Sequence, residues 1–313
     1  MVPLIRPSFL TDKIVRTCLF IDKIAITMPL QEDAKQSAVS DFLGELAEED
    51  IIQRSRYNSR LIEHYSLAFR IPMSGGRSAV IQLAPYYGSM RFLRMEFNPC
   101  RPTCSGAHPM ERMQTILESA WRDLPAAIES EAKFTRIDFA VEFENVHIGD
   151  VDFFHRTRPA EGRILNEERD EDRDEVPTGR YVGRRTSNRY AAMYNKKLQA
   201  RKHLAYIMRN ERTRLEIRLA NAGSISTIEN MPNPFANYVL FLYPSDEGNL
   251  SLEKRRFLAS CRELGAQTAL TRIHGGRERS RYRRFLTEYS PSWWDPEAIW
   301  RERRNALRDA LYP

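Results

Sequence analysis

The residues with the most chemical potential lie between Arg180 and Leu219, where RYVGRRTSNRYAAMYNKKLQ leads on to RTRLEIRL. Tyr181, Tyr190 and Tyr194 stand there among Arg184, Arg185, Arg189, Lys196, Arg214 and Arg218, with Glu216 close by in sequence. A tyrosine hydroxyl can attack a phosphodiester and keep the bond energy as a phosphotyrosine, which leaves a 3′-hydroxyl free. The attack needs assistance, because a free phenol has a pKa of about 10 and is protonated at neutral pH. Carboxylates and cations beside the phenol are the groups that supply it, by taking the proton, by offsetting charge on the phosphate or by holding a divalent ion.

Strands must position these groups. Over 189–194 the period-two rule places Tyr190, Ala192 and Tyr194 on one face and Arg189, Ala191 and Met193 on the other. Over 214–219, Arg214, Glu216 and Arg218 share one side and Leu215, Ile217 and Leu219 the other, which describes a half-buried strand with a charged working face. The segment 134–144 (FTRIDFAVEFE) alternates Ile137, Phe139, Val141 and Phe143 against Arg136, Asp138, Ala140 and Glu142. Asp138 and Glu142, four positions apart, lie about 13 Å apart along an extended strand, so sharing one ion requires a bend or bulge. Asp22 interrupts an earlier strand at 17–28, and either lies at a sheet edge or faces polar groups.

The remaining elements suggest an α+β fold, an antiparallel sheet with helices packed on it. Residues 1–16 carry no periodic signal. Helical spacing appears at 31–55 and again at 110–127; strand-like segments at 65–71, 79–83 and 90–98 are separated by Gly-containing turns. The acidic stretch 161–177 reads as a mobile loop. Residues 1–248 are expected to form the working domain, and 249–313 a basic helical appendix with helices near 250–264, 266–273 and 278–289. Arg281, Arg283 and Arg284 of that appendix suit the phosphates of duplex DNA, and Trp293, Trp294 and Trp300 suit docking rather than base stacking.

The 313 residues carry a net charge of +6, a lean toward polyanions. Four cysteines, with Cys100 and Cys104 lacking a second ligand pair, indicate reduced thiols rather than a zinc site. No apolar run has membrane-spanning length and no secretion signal is evident, so a cytoplasmic protein is expected. The sequence also lacks a His-hydrophobic-His metal pair, a phosphate loop with Lys-Ser/Thr, and a serine-hydrolase elbow.

The succession FTRIDFAVEF, TGRYVGRRTSNRYAAMYNKKLQ, RTRLEIRL resembles the replication initiation factor family of rolling-circle plasmids and filamentous or prophage elements, and is similar to relaxases of some conjugative elements. FIDKIAITM resembles that family's early strand, and WWDPEAIW the tail of its phage-type members. The resemblance implies an enzyme that nicks and recloses one DNA strand at an origin through a 5′-phosphotyrosine, with Mg²⁺ or Mn²⁺ as cofactor. It implies Tyr194 as nucleophile, with Tyr190 second and Tyr181 third. Asp138 and Glu216 become metal ligands, with Glu142 and Asp22 as further ones, and Arg189, Lys196, Arg214 and Arg218 hold phosphate. Gln199 replaces the acidic residue usual after the YNK motif. DNA unwinding would fall to a helicase of the host or the element, and a homodimer stays open. Two other readings compete, a non-catalytic origin- or operator-binding protein that uses the basic tail, and a weaker one, an RNA-binding protein that uses aromatic strands.

Overall fold

The computed structural model describes residues 5–10, 13–30, 32–55, 65–74, 77–85, 92–104, 106–157, 162–165, 178–184, 187–198 and 210–311. The fold is α+β, as the alternating and helical spacings lead one to expect. Its first half runs β1 (Ile5–Leu10), β2 (Lys13–Pro29), α1 (Asp33–Glu48), β3 (Gln53–Arg54), β4 (Tyr65–Met73), β5 (Arg77–Pro85), β6 (Phe92–Phe97), α2 (Pro109–Glu118), α3 (Leu124–Glu131) and β7 (Lys133–Glu144). There follow β8 (Val151–His155), β9 (Gly162–Leu165), β10 (Gly179–Val182), β11 (Arg189–Asn195), β12 (Arg212–Ser224) and β13 (Tyr238–Leu242), then α4 (Leu252–Leu264), α5 (Ala266–Arg272), α6 (Gly276–Thr287) and α7 (Pro296–Leu311). The strands hydrogen-bond in the order β3-β4-β5-β6-β2-β7-β12-β11-β10-β9, with β1 also on β2, while β8 and β13 pair separately. No described helix is long and apolar enough to cross a membrane.

The chain divides into two compact units. One comprises Ile21–Asp138, Leu219–Pro232 and Arg303–Pro313. Its register aligns Phe69, Ile81, Met95 and Ile26 across β4, β5, β6 and β2, and all four are buried. Helix α1 packs against β3 and β4, and α2 against β6. The other pleat face of the same strands carries a polar ladder in which Glu96 receives Lys23 and Arg94. Burial pushes the Glu96 carboxyl up, but the two cations together outweigh burial and hold it at about 2.

The other unit comprises Met1–Phe20, Phe139–Arg218 and Asn233–Glu302. Its helical part is not a loose tail, since Phe154 of β8 and Phe241 of β13 share a core with Phe257, Leu258, Leu270 and Leu286 of α4 to α6. Trp293 packs on Phe143 with ring centroids 4.8 Å apart, and Trp300 meets Phe139 edge-on at 5.3 Å, as the docking expectation requires.

Several elements differ from expectation for identifiable reasons. The long helix expected over 110–127 is two helices, with α2 ending at Glu118 and Pro125, whose missing N–H is tolerated in a first turn, at the start of α3. Residues 5–10 form β1, a strand masked in the sequence by Pro7. Part of the acidic stretch, Gly162–Leu165, is strand β9 paired with β10; residues 166–177 lie outside the described residues. Strands β8 and β13 are short, wholly or almost wholly buried runs, which carry no alternation to read. None of the four cysteines forms a disulfide.

Candidate functional site

Strands β10, β11 and β12 build the site, and their residues up to Arg218 belong to one unit. Ala191 and Met193 of β11 are fully buried, which turns Tyr190, Ala192 and Tyr194 to the opposite face. On β12, Thr213, Leu215 and Ile217 are buried in the same manner, so Arg212, Arg214, Glu216 and Arg218 share the other face. Beside β11, the register sets Tyr181 opposite Ala192 and Gly179 opposite Tyr194. Small residues thus alternate with tyrosines across the strand pair.

The two β11 tyrosines have different neighbours. The Tyr194 hydroxyl donates a hydrogen bond to Glu216 Oε2 at 3.2 Å. Tyr190 instead stacks on Tyr181, with centroids 5.8 Å apart and planes 28° apart, and the Arg218 guanidinium lies 5.3 Å from its ring centroid. A carboxylate at the phenol oxygen equips Tyr194 for proton transfer, whereas a cation against the ring engages the π-system of Tyr190. All three tyrosines are half-buried. Immediately after Tyr194 the backbone turns helical at 196–198; the Asn195 side chain accepts from the Leu198 N–H at 3.1 Å. Lys196 is half-buried in that turn, and Lys197 pairs with Glu211 at 2.8 Å.

Arg214 is buried, unlike a side chain awaiting DNA. Its Nε and Nη2 donate to Glu142 Oε1 at 2.9 and 2.6 Å, and its guanidinium lies 4.4 Å from the Phe20 ring centroid. Arg212 bridges Glu142 and Glu144 at 3.1 and 3.2 Å. Neither Arg212 nor Phe20 was among the residues singled out by sequence, since no local pattern reveals a partner some 70 to 190 positions away. In the other unit, Asp138 is gripped by Arg136 and Asp22 accepts from Asn98 Nδ2 at 3.3 Å. Among the described residues no three His, Cys, Asp or Glu side chains converge so as to hold a metal ion. Of the carboxylates expected to hold a metal, Glu142 is clasped by two guanidiniums. Arg184 and Arg189 are exposed near the β10–β11 turn, and Arg185 lies outside the described residues.

A second polar cluster sits beneath these strands. Asp152, 1% exposed, pairs with Arg180 Nε at 3.2 Å and accepts from Tyr243 Oη, Phe153 N and Ala266 N. Arg180 also donates to the carbonyls of Ile148 and Val151 at 3.0 and 3.1 Å. Burial and then the charge of Asp152 push the Tyr243 phenol well above its ordinary range, and the same two causes act on the Cys261 thiol. Tyr243 is therefore a structural donor and Cys261 an inert thiol. Anchoring Arg180 inward fixes its neighbour Tyr181 on the working face.

On α6, Arg277, Arg281 and Arg284 are exposed, and Arg281 pairs with Glu253 and Glu278. Arg283 is half-buried; desolvation and then Arg279 lower its pKa.

No family model matches the chain, and neither does any of the curated proteins. Among solved structures the chain is similar to a rolling circle replication initiator protein from Geobacillus stearothermophilus, with 14% identity and a TM-score of 0.43 over 80% of this chain and 98% of that one. It is also similar to the di-domain ARO/CYC BexL from the BE-7585A biosynthetic pathway, with 10% identity and a TM-score of 0.15 over 82% of this chain and 99% of that one. Likenesses of this depth by themselves assign neither a family nor an activity to the chain.

Proposed function

We propose that this protein is a tyrosine-dependent DNA nicking and closing enzyme of the rolling-circle initiator type, with Tyr194 as nucleophile. The observation that carries the reading is the Tyr194 hydroxyl resting on the Glu216 carboxylate, on a face that also presents Arg218. Tyr194 Oη attacks the scissile phosphorus while its proton passes to Glu216. The bond from phosphorus to O3′ breaks, the phosphate stays on Tyr194 as a 5′-phosphotyrosine, and the departing O3′ takes a proton from solvent. The released 3′-hydroxyl can prime synthesis or attack the phosphotyrosine to reclose the strand. Lys196, two residues after Tyr194, and Arg218, two residues beyond Glu216 on the same face of β12, offset charge on the phosphate.

The basic helices fit the duplex flanking such a site. Residues 252–287 contain ten Lys and Arg and three Glu, hence +7, against +6 for the whole chain. Helices α4 to α6 are therefore strongly basic, as is the stretch 180–214, which holds eleven Lys and Arg and one Glu. A non-catalytic origin- or operator-binding protein would use that surface as well, so chemistry must separate the two readings.

The test incubates the protein with a single-stranded origin oligonucleotide or circular single-stranded DNA, in Mg²⁺, in Mn²⁺ and in EDTA, and resolves protein–DNA adducts under denaturing conditions. Wild type is expected to form an adduct. Tyr194→Phe should abolish it with binding intact, and Glu216→Gln should slow it about 10²- to 10⁴-fold, the usual contribution of a general base. An adduct that persists in Tyr194→Phe refutes the assignment, and no adduct under any condition favours the binding protein.

A further inference from the structure

The face that carries Tyr194 holds two more tyrosines whose arrangement points to a different task. We infer that Tyr181 and Tyr190, backed by Arg218, form a stacking platform for an unpaired nucleobase of single-stranded DNA, and are not reserve nucleophiles; this rests on the nicking reading for the identity of the strand.

Three observations support the platform. First, the two rings already stack on each other at 5.8 Å and 28°, with the Arg218 guanidinium over the Tyr190 ring at 5.3 Å from its centroid, so a stack of two aromatic rings and a guanidinium exists before any ligand arrives. Nucleobases stack on such surfaces whatever their identity, since every base has a π-face, and Arg strengthens the attraction to phosphate nearby. Second, the platform is continuous with the proposed nucleophile. A Cβ built on Gly179, the cross-strand partner of Tyr194, would lie 3.3 Å from both Cε2 and Oη of Tyr181, so the Tyr181 ring extends over the space that glycine leaves open. Ala192, opposite Tyr181 and between Tyr190 and Tyr194, keeps the floor low. Third, the hydrogen-bonded environments differ, with a carboxylate at the hydroxyl of Tyr194 and ring contacts at Tyr190. Along β11, Tyr190 and Tyr194 are four residues apart, about 13 Å, which keeps a stacked base within a few nucleotides of a phosphate at Tyr194.

The buried Arg180 reinforces the geometry. Its ion pair with Asp152 and its bonds to Ile148 and Val151 hold β10 so that Tyr181 cannot turn inward without leaving a buried guanidinium unpaired.

The experiment uses full-length protein and single-stranded oligonucleotides that carry 2-aminopurine at successive positions around the cleavage site, with affinity read by anisotropy and stacking by fluorescence quenching. One position should quench on binding. Tyr190→Leu and Tyr181→Leu should lose that quench and bind about 5- to 150-fold more weakly, the range for one stacked base. Tyr190→Phe and Tyr181→Phe, which keep the ring, should retain the quench and the affinity. An abasic residue at the quenched position should weaken wild type by the same factor yet add nothing in Tyr190→Leu. Unchanged quenching and affinity in both leucine variants overturns the platform, as does loss of the quench in either phenylalanine variant. Because binding and quenching are read without cleavage, they also work in Tyr194→Phe. Failure of the nucleophile assignment is thereby distinguished from failure of the platform.

Discussion

Replacing Glu142 with alanine is the most demanding check on the packing behind the site. The side chains of Glu142 and Arg214 are 10% and 7% exposed, and the guanidinium makes two bonds to Oε1. Alanine removes the carboxylate and leaves Arg214 a buried charge with that partner gone, which costs about 3–5 kcal/mol. Arg212 adds little, about 0–1 kcal/mol, because its side chain is 30% exposed and it keeps Glu144. Urea unfolding followed by tryptophan fluorescence reads the change, since Trp293 and Trp294 pack against Phe143, next to Glu142. With a slope of about 2 kcal/mol/M, the midpoint should fall by about 1.5–2.5 M with little change in slope. Glu142→Leu combined with Arg214→Met replaces the pair with apolar groups of similar size and should cost less than Glu142→Ala alone. A midpoint shift below about 0.3 M for Glu142→Ala, or a double variant as unstable as the sum of its singles, refutes the reasoning.

Acid should destabilise the unit containing Glu96. Its folded pKa of about 2 lies below the ordinary 4.5, so its stabilisation is present above pH 4.5 and disappears as pH falls toward 2, a change of roughly 3 kcal/mol; Glu96→Gln should flatten that part of a urea-midpoint profile. Gly183 has φ +88° and an added Cβ would meet Arg189 O at 2.9 Å, so Gly183→Ala should destabilise the β10–β11 turn by about 1–3 kcal/mol in a thermal melt and lower adduct yield with it. Removing the exposed Arg277 and Arg284 together should lower the salt dependence of duplex binding by about two units of the log–log slope while adduct formation on a short single strand stays the same, as measured by anisotropy titrations across salt concentrations.

Alternation alone made β7, β11 and β12 legible as strands, and it placed Tyr190 with Tyr194 and Glu216 with Arg218, because a pleated strand sends successive side chains to opposite faces. Composition likewise marked 180–214 and the C-terminal helices as basic. Periodicity reports which face a residue occupies on its own strand; it is silent on which residue of a neighbouring strand lies beside it. Only the tertiary structure decided that Glu216 meets Tyr194 and that Arg218 meets Tyr190, and this pairing is what separates a proton acceptor from a ring partner. It also decided that Arg214 and Glu142, which by type suit phosphate and metal, are bound to each other in a buried pair. A charged side chain's role depends on what desolvates it and what compensates it, and both arrive from distant parts of the chain.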